Sequence, residues 1–256
     1  MSIIFYPQFA NETDLTQLSA KEQDLFFYII AKLKYNRELS LRAEEIKELI
    51  SSDKNRATYK EAESVCLSLV KNFPPEIRKM LDVLQVDYVN PDNTEFDGMT
   101  IFLFDEYQDD FIEWHQSALD LDEFKKQSSI YTKTIFRLLY TSRFIGIYTI
   151  RLEWLANHLG LSGKKWTQIN RLAVSPSISR ISNIFENLKA TKKDDMIHFV
   201  FKPHRRKKLP NDYFKLKELH HKLTKDIGRK LISNQSLDED YLLDLAEIET
   251  KMLEIS

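Results

Sequence analysis

The chain has 256 residues, 43% of them hydrophobic and 30% charged, with a formal net charge of −2. No stretch offers the ~20 uncharged apolar residues that a membrane-spanning helix needs, and a lone cysteine, Cys66, excludes an internal disulfide framework or a multi-cysteine zinc site. The near-neutral total hides a division: residues 1–124 hold 12 Lys/Arg against 25 Asp/Glu, residues 125–232 hold 24 against 7, and residues 233–256 hold 1 against 7, so the middle of the chain calls for a polyanionic partner.

The opening Met1-Ser2-Ile3-Ile4 carries no basic segment and no small-residue cleavage site, so no export signal is expected and a reducing cytosol is the expected compartment. Residues 1–18 read as irregular. Ser19 followed by Glu22 is a capping box, and it predicts a helix from Ala20 to about Lys34 that buries Leu25, Phe26, Ile29, Ile30 and Leu33. Glu38–Leu41 reads as a short extended link. Residues 42–50 predict a second helix with Ala43, Ile46, Leu49 and Ile50 inward. Residues 55–72 predict a third, with Ala62, Val65, Cys66, Leu69 and Val70 on one side, ended by Pro74-Pro75. Residues 83–90 and 99–104 read as strands, separated by the turn residues Asn90-Pro91-Asp92-Asn93 and Asp97-Gly98.

Three helices and a hairpin make the order of a winged helix, and the order then recurs. Residues 106–124 are acidic and read as helical. Residues 128–143 predict a helix that buries Ile130, Tyr131, Ile135, Phe136, Leu138, Leu139 and Tyr140. Tyr148–Leu152 leads into a short helix, 152–159, that Gly160 ends. Ser175 suits an N-cap and Pro176 a first helical position, which predicts a helix over 176–188 burying Ile178, Ile181, Ile184 and Phe185. Residues 196–201 read as a strand whose hairpin partner is 186–190, across a turn at Lys192-Lys193-Asp194-Asp195. Helical patterns close the chain at 212–232 and 237–254. The expected fold is α+β, mostly α: two tandem winged-helix domains, 1–124 (acidic) and 125–210 (basic), plus a helical tail, 211–256.

A helix-turn-helix type of domain lays one helix in the major groove and positions it by phosphate contacts. In the basic domain that helix is 176–188, with Ser175, Ser177, Ser179, Arg180, Ser182 and Asn183 outward. Arg180 can read guanine bidentately and Asn183 can read adenine, while short hydroxyls allow close approach. Phosphate contacts are assigned to Lys164, Lys165 and Arg171 before the helix, to Lys189, Lys192 and Lys193 at the wing, and to the run His204-Arg205-Arg206-Lys207-Lys208. In the acidic domain Lys54, Arg56, Tyr59 and Lys60 lie on the equivalent helix. The alternative for each of these is a solvated surface.

Enzyme signatures fail. Gly163-Lys164-Lys165 lacks both the first glycine of a phosphate-binding loop, where His158 stands, and its final Ser/Thr, where Lys165 stands. His220 and His221 are adjacent rather than flanking one hydrophobic residue, and His115, His158, His198 and His204 are isolated. No catalytic residue, metal or cofactor is expected.

Three stretches together resemble the plasmid replication initiators of the RepB type, which are tandem winged-helix proteins. They are Leu18–Leu33, Ser129–Tyr140, and Ile150–Leu155 continuing through Gly160, Trp166 and Ile169 to Asn183. Phe136 stands at an aromatic position of the second stretch, and Asn170 stands where the family usually carries a basic residue. The resemblance spans roughly residues 15–202. It implies a bacterial cytoplasmic, non-enzymatic protein that binds direct repeats (iterons) in double-stranded origin DNA, promotes local opening and recruits a host initiator or helicase. It also implies repression of the protein's own gene as a homodimer. A winged-helix transcriptional repressor without a replication role, and a protein-interaction module with a basic face, remain alternatives at this point.

Overall fold

In the computed structural model the described residues are 3–34, 36–51, 56–90, 92, 95–108, 111, 116–204, 219, 220, 222, 223, 248 and 251. They fall into two units, Met1–His204 and Arg205–Ser256. In the second unit residues 219, 220, 222, 223, 248 and 251 are helical, within the expected helices 212–232 and 237–254, and Ile248 is buried; the rest of those two helices lies outside the described residues.

The first unit starts with β1 (Ile3–Pro7) and a single turn of helix, α1 (Phe9–Glu12). This corrects the expectation of irregular chain. β1 pairs antiparallel with β5 (Gln116–Asp120), Ile3 lying opposite Asp120. The acidic stretch expected to be helical therefore contains a strand, followed by a short helix, α6 (Leu121–Lys125), that Asp120 caps by accepting the Glu123 N–H. Each strand is five residues long, too short for a periodic signal, and more than a hundred residues separate them.

The remaining elements come in two rounds of helices followed by a three-stranded sheet. The first round is α2 (Ala20–Leu33), β2 (Glu38–Arg42), α3 (Ala43–Ile50), α4 (Tyr59–Asn72), α5 (Pro75–Arg78), β3 (Leu81–Tyr88) and β4 (Phe96–Leu103), with sheet order β2-β4-β3. Ser19 and Glu22 close the capping box at α2. α4 begins four residues later than its apolar pattern suggests, because Thr58 is the cap: its hydroxyl accepts the Glu61 N–H at 3.2 Å. The second round is α7 (Ile130–Thr141), β6 (Ile147–Arg151), α8 (Leu152–His158), α9 (Trp166–Ile169), α10 (Ser175–Ile181), β7 (Lys189–Lys193) and β8 (Met196–Val200), with sheet order β6-β8-β7.

Both rounds share one hydrophobic core. α2 and α7 run through it and are buried on nearly every face, so their polar residues must find partners inside. Lys133, fully buried, donates to Asp24 Oδ1 at 2.5 Å and to the Phe124 carbonyl at 2.9 Å, with its ammonium 4.0 Å from the centre of the Phe124 ring. Arg137 donates to the Ala10 carbonyl at 2.7 Å, and burial lowers its pKa to about 10. Tyr6 donates to Asn11, which donates to Ser117 at 2.6 Å, tying β1, α1 and β5 together. Burial pushes the Cys66 thiol up to about 12, which leaves it protonated and inert at neutral pH.

Gly98 in β4 lies between Arg42 of β2 and Asp87 of β3. A Cβ there would sit 1.9 Å from the Leu41 carbonyl oxygen, inside backbone that cannot yield. Gly98→Ala is expected to destabilise the fold by about 1–3 kcal/mol, the usual range for forced overpacking. A urea melt reads this as a lower midpoint at an unchanged m-value; a midpoint equal to wild type refutes it.

Candidate nucleic-acid interface

The expected reading helix departs from its sequence reading. Ser175 is not a cap: Ile169, Asn170, Val174 and Ser175 all hold right-handed helical angles. α9 and α10 are one continuous rod from Trp166 to Ile181, joined by a π turn over Asn170–Val174. The Ser175 N–H bonds five residues back, to the Asn170 carbonyl, instead of four. The wider turn precedes Pro176, whose ring crowds the carbonyl four residues back in a regular helix and which has no N–H to offer. The rod ends at Ile181, not 188.

The π turn also sets which residues face out. Along the rod exposure recurs in pairs at a spacing of four: Thr167/Gln168, Arg171/Leu172, Ser175/Pro176, Ser179/Arg180. Between them Ile169, Ala173, Val174, Ser177 and Ile181 are buried. A regular helix of 3.6 residues per turn would rotate a four-residue repeat by about 40° at each step. The underwound segment offsets that drift and keeps two parallel ridges on one side.

Ser177, expected to face outward, is 1% exposed, and its hydroxyl meets that of Thr132 on α7 at 3.1 Å. It is a packing residue, placed inward by the four-residue spacing. Arg171, Ser175, Ser179, Arg180 and Asn183 are exposed. The Ser179 hydroxyl donates to the Ser175 carbonyl at 3.2 Å, which leaves its lone pairs to accept a bond. Lys164 and Lys165 are exposed where the rod begins, and the Lys165 N–H donates to Gln168 Oε1 at 3.2 Å.

The wing is a hairpin of β7 and β8 with its turn at Asp194-Asp195, Asp194 adopting φ +55°. Lys192 and Lys193, expected in the turn, are therefore strand residues, and 186–188 lie outside the strand. In strands successive side chains alternate faces. Lys189 and Lys193 share one face with Arg151: Lys193 and Arg151 both pair with Met196, from opposite sides of β8. Lys192 pairs with Ile197 and belongs to the other face; its ammonium donates to the Asp194 carbonyl.

His204 is held in place: its Nε2 donates to the Ile184 carbonyl at 2.9 Å and its ring stacks on Phe185. Arg205, Arg206, Lys207, Lys208 and Lys54 lie outside the described residues. In the first round Arg56, Tyr59 and Lys60 are exposed at the start of α4. Tyr59 donates to Glu44 at 3.0 Å under the Lys47 ammonium, so it is tied to α3. Sequence reasoning missed Arg151, Thr167, Gln168, Leu172 and Pro176 as outward residues; only the π turn puts the last four in line.

The profile of the family described as "Initiator Replication protein, WH1" matches residues 5–140, more than half of the chain. Among solved structures, the fold is similar to that in "Crystal structure of Pi initiator protein in complex with iteron DNA", with a TM-score of 0.55 and 12% identity over 79% of this chain and 98% of that one. No curated protein matches. With a matching profile over more than half its length and the winged-helix architecture of a replication initiator, this chain belongs to the initiator replication protein family.

Proposed function

We propose that this initiator recognises direct repeats in double-stranded origin DNA, with the rod of α9 and α10 in the major groove and the β7–β8 wing along the backbone. The carrying observation is the two-ridged outward face of the rod, flanked by Lys164 and Lys165 and accompanied by Arg151, Lys189 and Lys193 on one face of the wing sheet. Cationic side chains around a helix of groove-compatible width supply the counterion-release term of DNA binding. The similar Pi initiator was crystallised with iteron DNA. The protein acts by binding and distorting DNA rather than by bond-breaking chemistry. Its further partners on this reading are a second copy of itself and a host initiator or helicase, and its compartment is the bacterial cytoplasm. Among the described residues no helix is long and apolar enough to cross a membrane.

The test is fluorescence anisotropy of the full chain with repeat-containing duplexes from the DNA flanking its gene, against shuffled duplexes, at two salt concentrations. Repeat DNA should bind at least ~10³-fold tighter, with a steep salt slope. Equal binding to both duplexes overturns the reading.

A further inference from the structure

Leu172 stands 45% exposed at the middle of the rod's outward face, beside Arg171. A single exposed leucine on a protein surface ordinarily means nothing. Here its place is fixed by the π turn, which aligns Gln168, Leu172, Pro176 and Arg180 as one outward ridge. Each of its ridge neighbours has an account of its own. Gln168 caps the rod through the Lys165 N–H, Pro176 follows the widened turn, and Arg180 is a cation at the far end. Leu172 lies beside Arg171 on the parallel ridge and makes the ridge centre apolar.

Arg171 beside it, Arg180 further along its ridge and Lys164 and Lys165 at the start of the rod suit a polyanion, and an apolar group on that face calls for an apolar feature on the polyanion. In the major groove of duplex DNA the feature available at a base edge is the thymine 5-methyl group. We propose that Leu172 is a specificity-determining residue that packs against a thymine methyl at the centre of the half-site read by the rod. The inference rests on the proposed DNA reading and names one base of its target. On this arrangement Arg180, two helical turns further along the same ridge, reads a position nearer one end.

The probe is a duplex selected by the full-length chain from a randomised pool. Each thymine in turn is replaced by deoxyuridine, which deletes the methyl and leaves every hydrogen-bonding edge intact. For the wild-type chain one thymine should be methyl-sensitive by about fourfold in Kd, the worth of one methyl-sized apolar group. Leu172→Ala should bind the thymine duplex about as weakly as wild type binds the deoxyuridine one, and should no longer distinguish the two. Since Leu172 is exposed, the variant should melt at the wild-type temperature.

Specific binding with no methyl-sensitive thymine overturns the inference and leaves the DNA reading standing. A Leu172→Ala chain that keeps the full deoxyuridine penalty also overturns it, since another residue then makes the contact. Failure to discriminate the selected duplex from a shuffled one overturns the DNA reading and the inference together.

Discussion

Lys133→Met is expected to cost about 3–5 kcal/mol of stability, because it strands a buried carboxylate. Lys133 and Asp24 are both buried, on the two helices that run through the shared core, at 2.5 Å. Burial pushes the Asp24 carboxyl up and the Lys133 ammonium down, and each charge opposes that shift on the other. The Lys133 ammonium also donates to the Phe124 carbonyl at the end of α6, which accepts the Gln127 N–H as well. Removing the cation takes away the only side-chain hydrogen bond to Asp24 among the described residues and leaves its desolvation opposed only by the weaker pull of Lys125 and Lys21. For a unit of this size the loss should lower Tm by about 10 °C. Asp24→Leu alone should cost a comparable amount. The pair Asp24→Leu with Lys133→Met removes both charges and should return to within about 2 kcal/mol of wild type, since apolar isosteres often replace buried ion pairs at little cost. Additive single losses in the double variant would show that the two side chains are not coupled.

Lys133 and Arg137 also mark what a charge count conceals. Both belong to the basic middle of the chain, yet both are buried and serve packing. A sequence count cannot tell a cation that meets DNA from one that meets Asp24. The apolar period of α7 gave no warning, because a helix buried all round has no polar stripe to read. Elements held by local chemistry were legible: the Ser19–Glu22 box, the α3 stripe, the β3–β4 hairpin and the stop at Pro74-Pro75. β1 and β5 were not, because their pairing is settled by contacts across the whole unit.

The rod was misread for a different reason. Ser175-Pro176 is a strong local signature of a helix start. The chain instead overrides it by widening one turn, so Pro176 sits within a helix that began ten residues earlier. That choice converts a fragment of helix into a rod with Ser177 locked against Thr132 and two ridges facing out. Of the expected base-reading residues, Arg180 and Asn183 keep their exposure and Ser177 loses it.

The largest binding effect should come from removing charge without touching the rod's outward ridges. A variant carrying Lys164→Ala, Lys165→Ala, Lys189→Ala and Lys193→Ala loses four exposed cations, two before the rod and two on one face of the wing. Each phosphate contact releases about 0.9 of a counterion, so the slope of log K against log salt should flatten by roughly 3–4. Near 0.1 M salt this amounts to about a 10³-fold loss of affinity. The loss should be the same for selected and shuffled duplexes, because phosphate contacts carry no sequence information. None of the four side chains is buried, so the melting temperature should hold. A selective loss for the specific duplex would place these lysines on bases instead. An unchanged slope would move the DNA-binding surface elsewhere, with Arg56 and Lys60 at the start of α4 the next cations to remove.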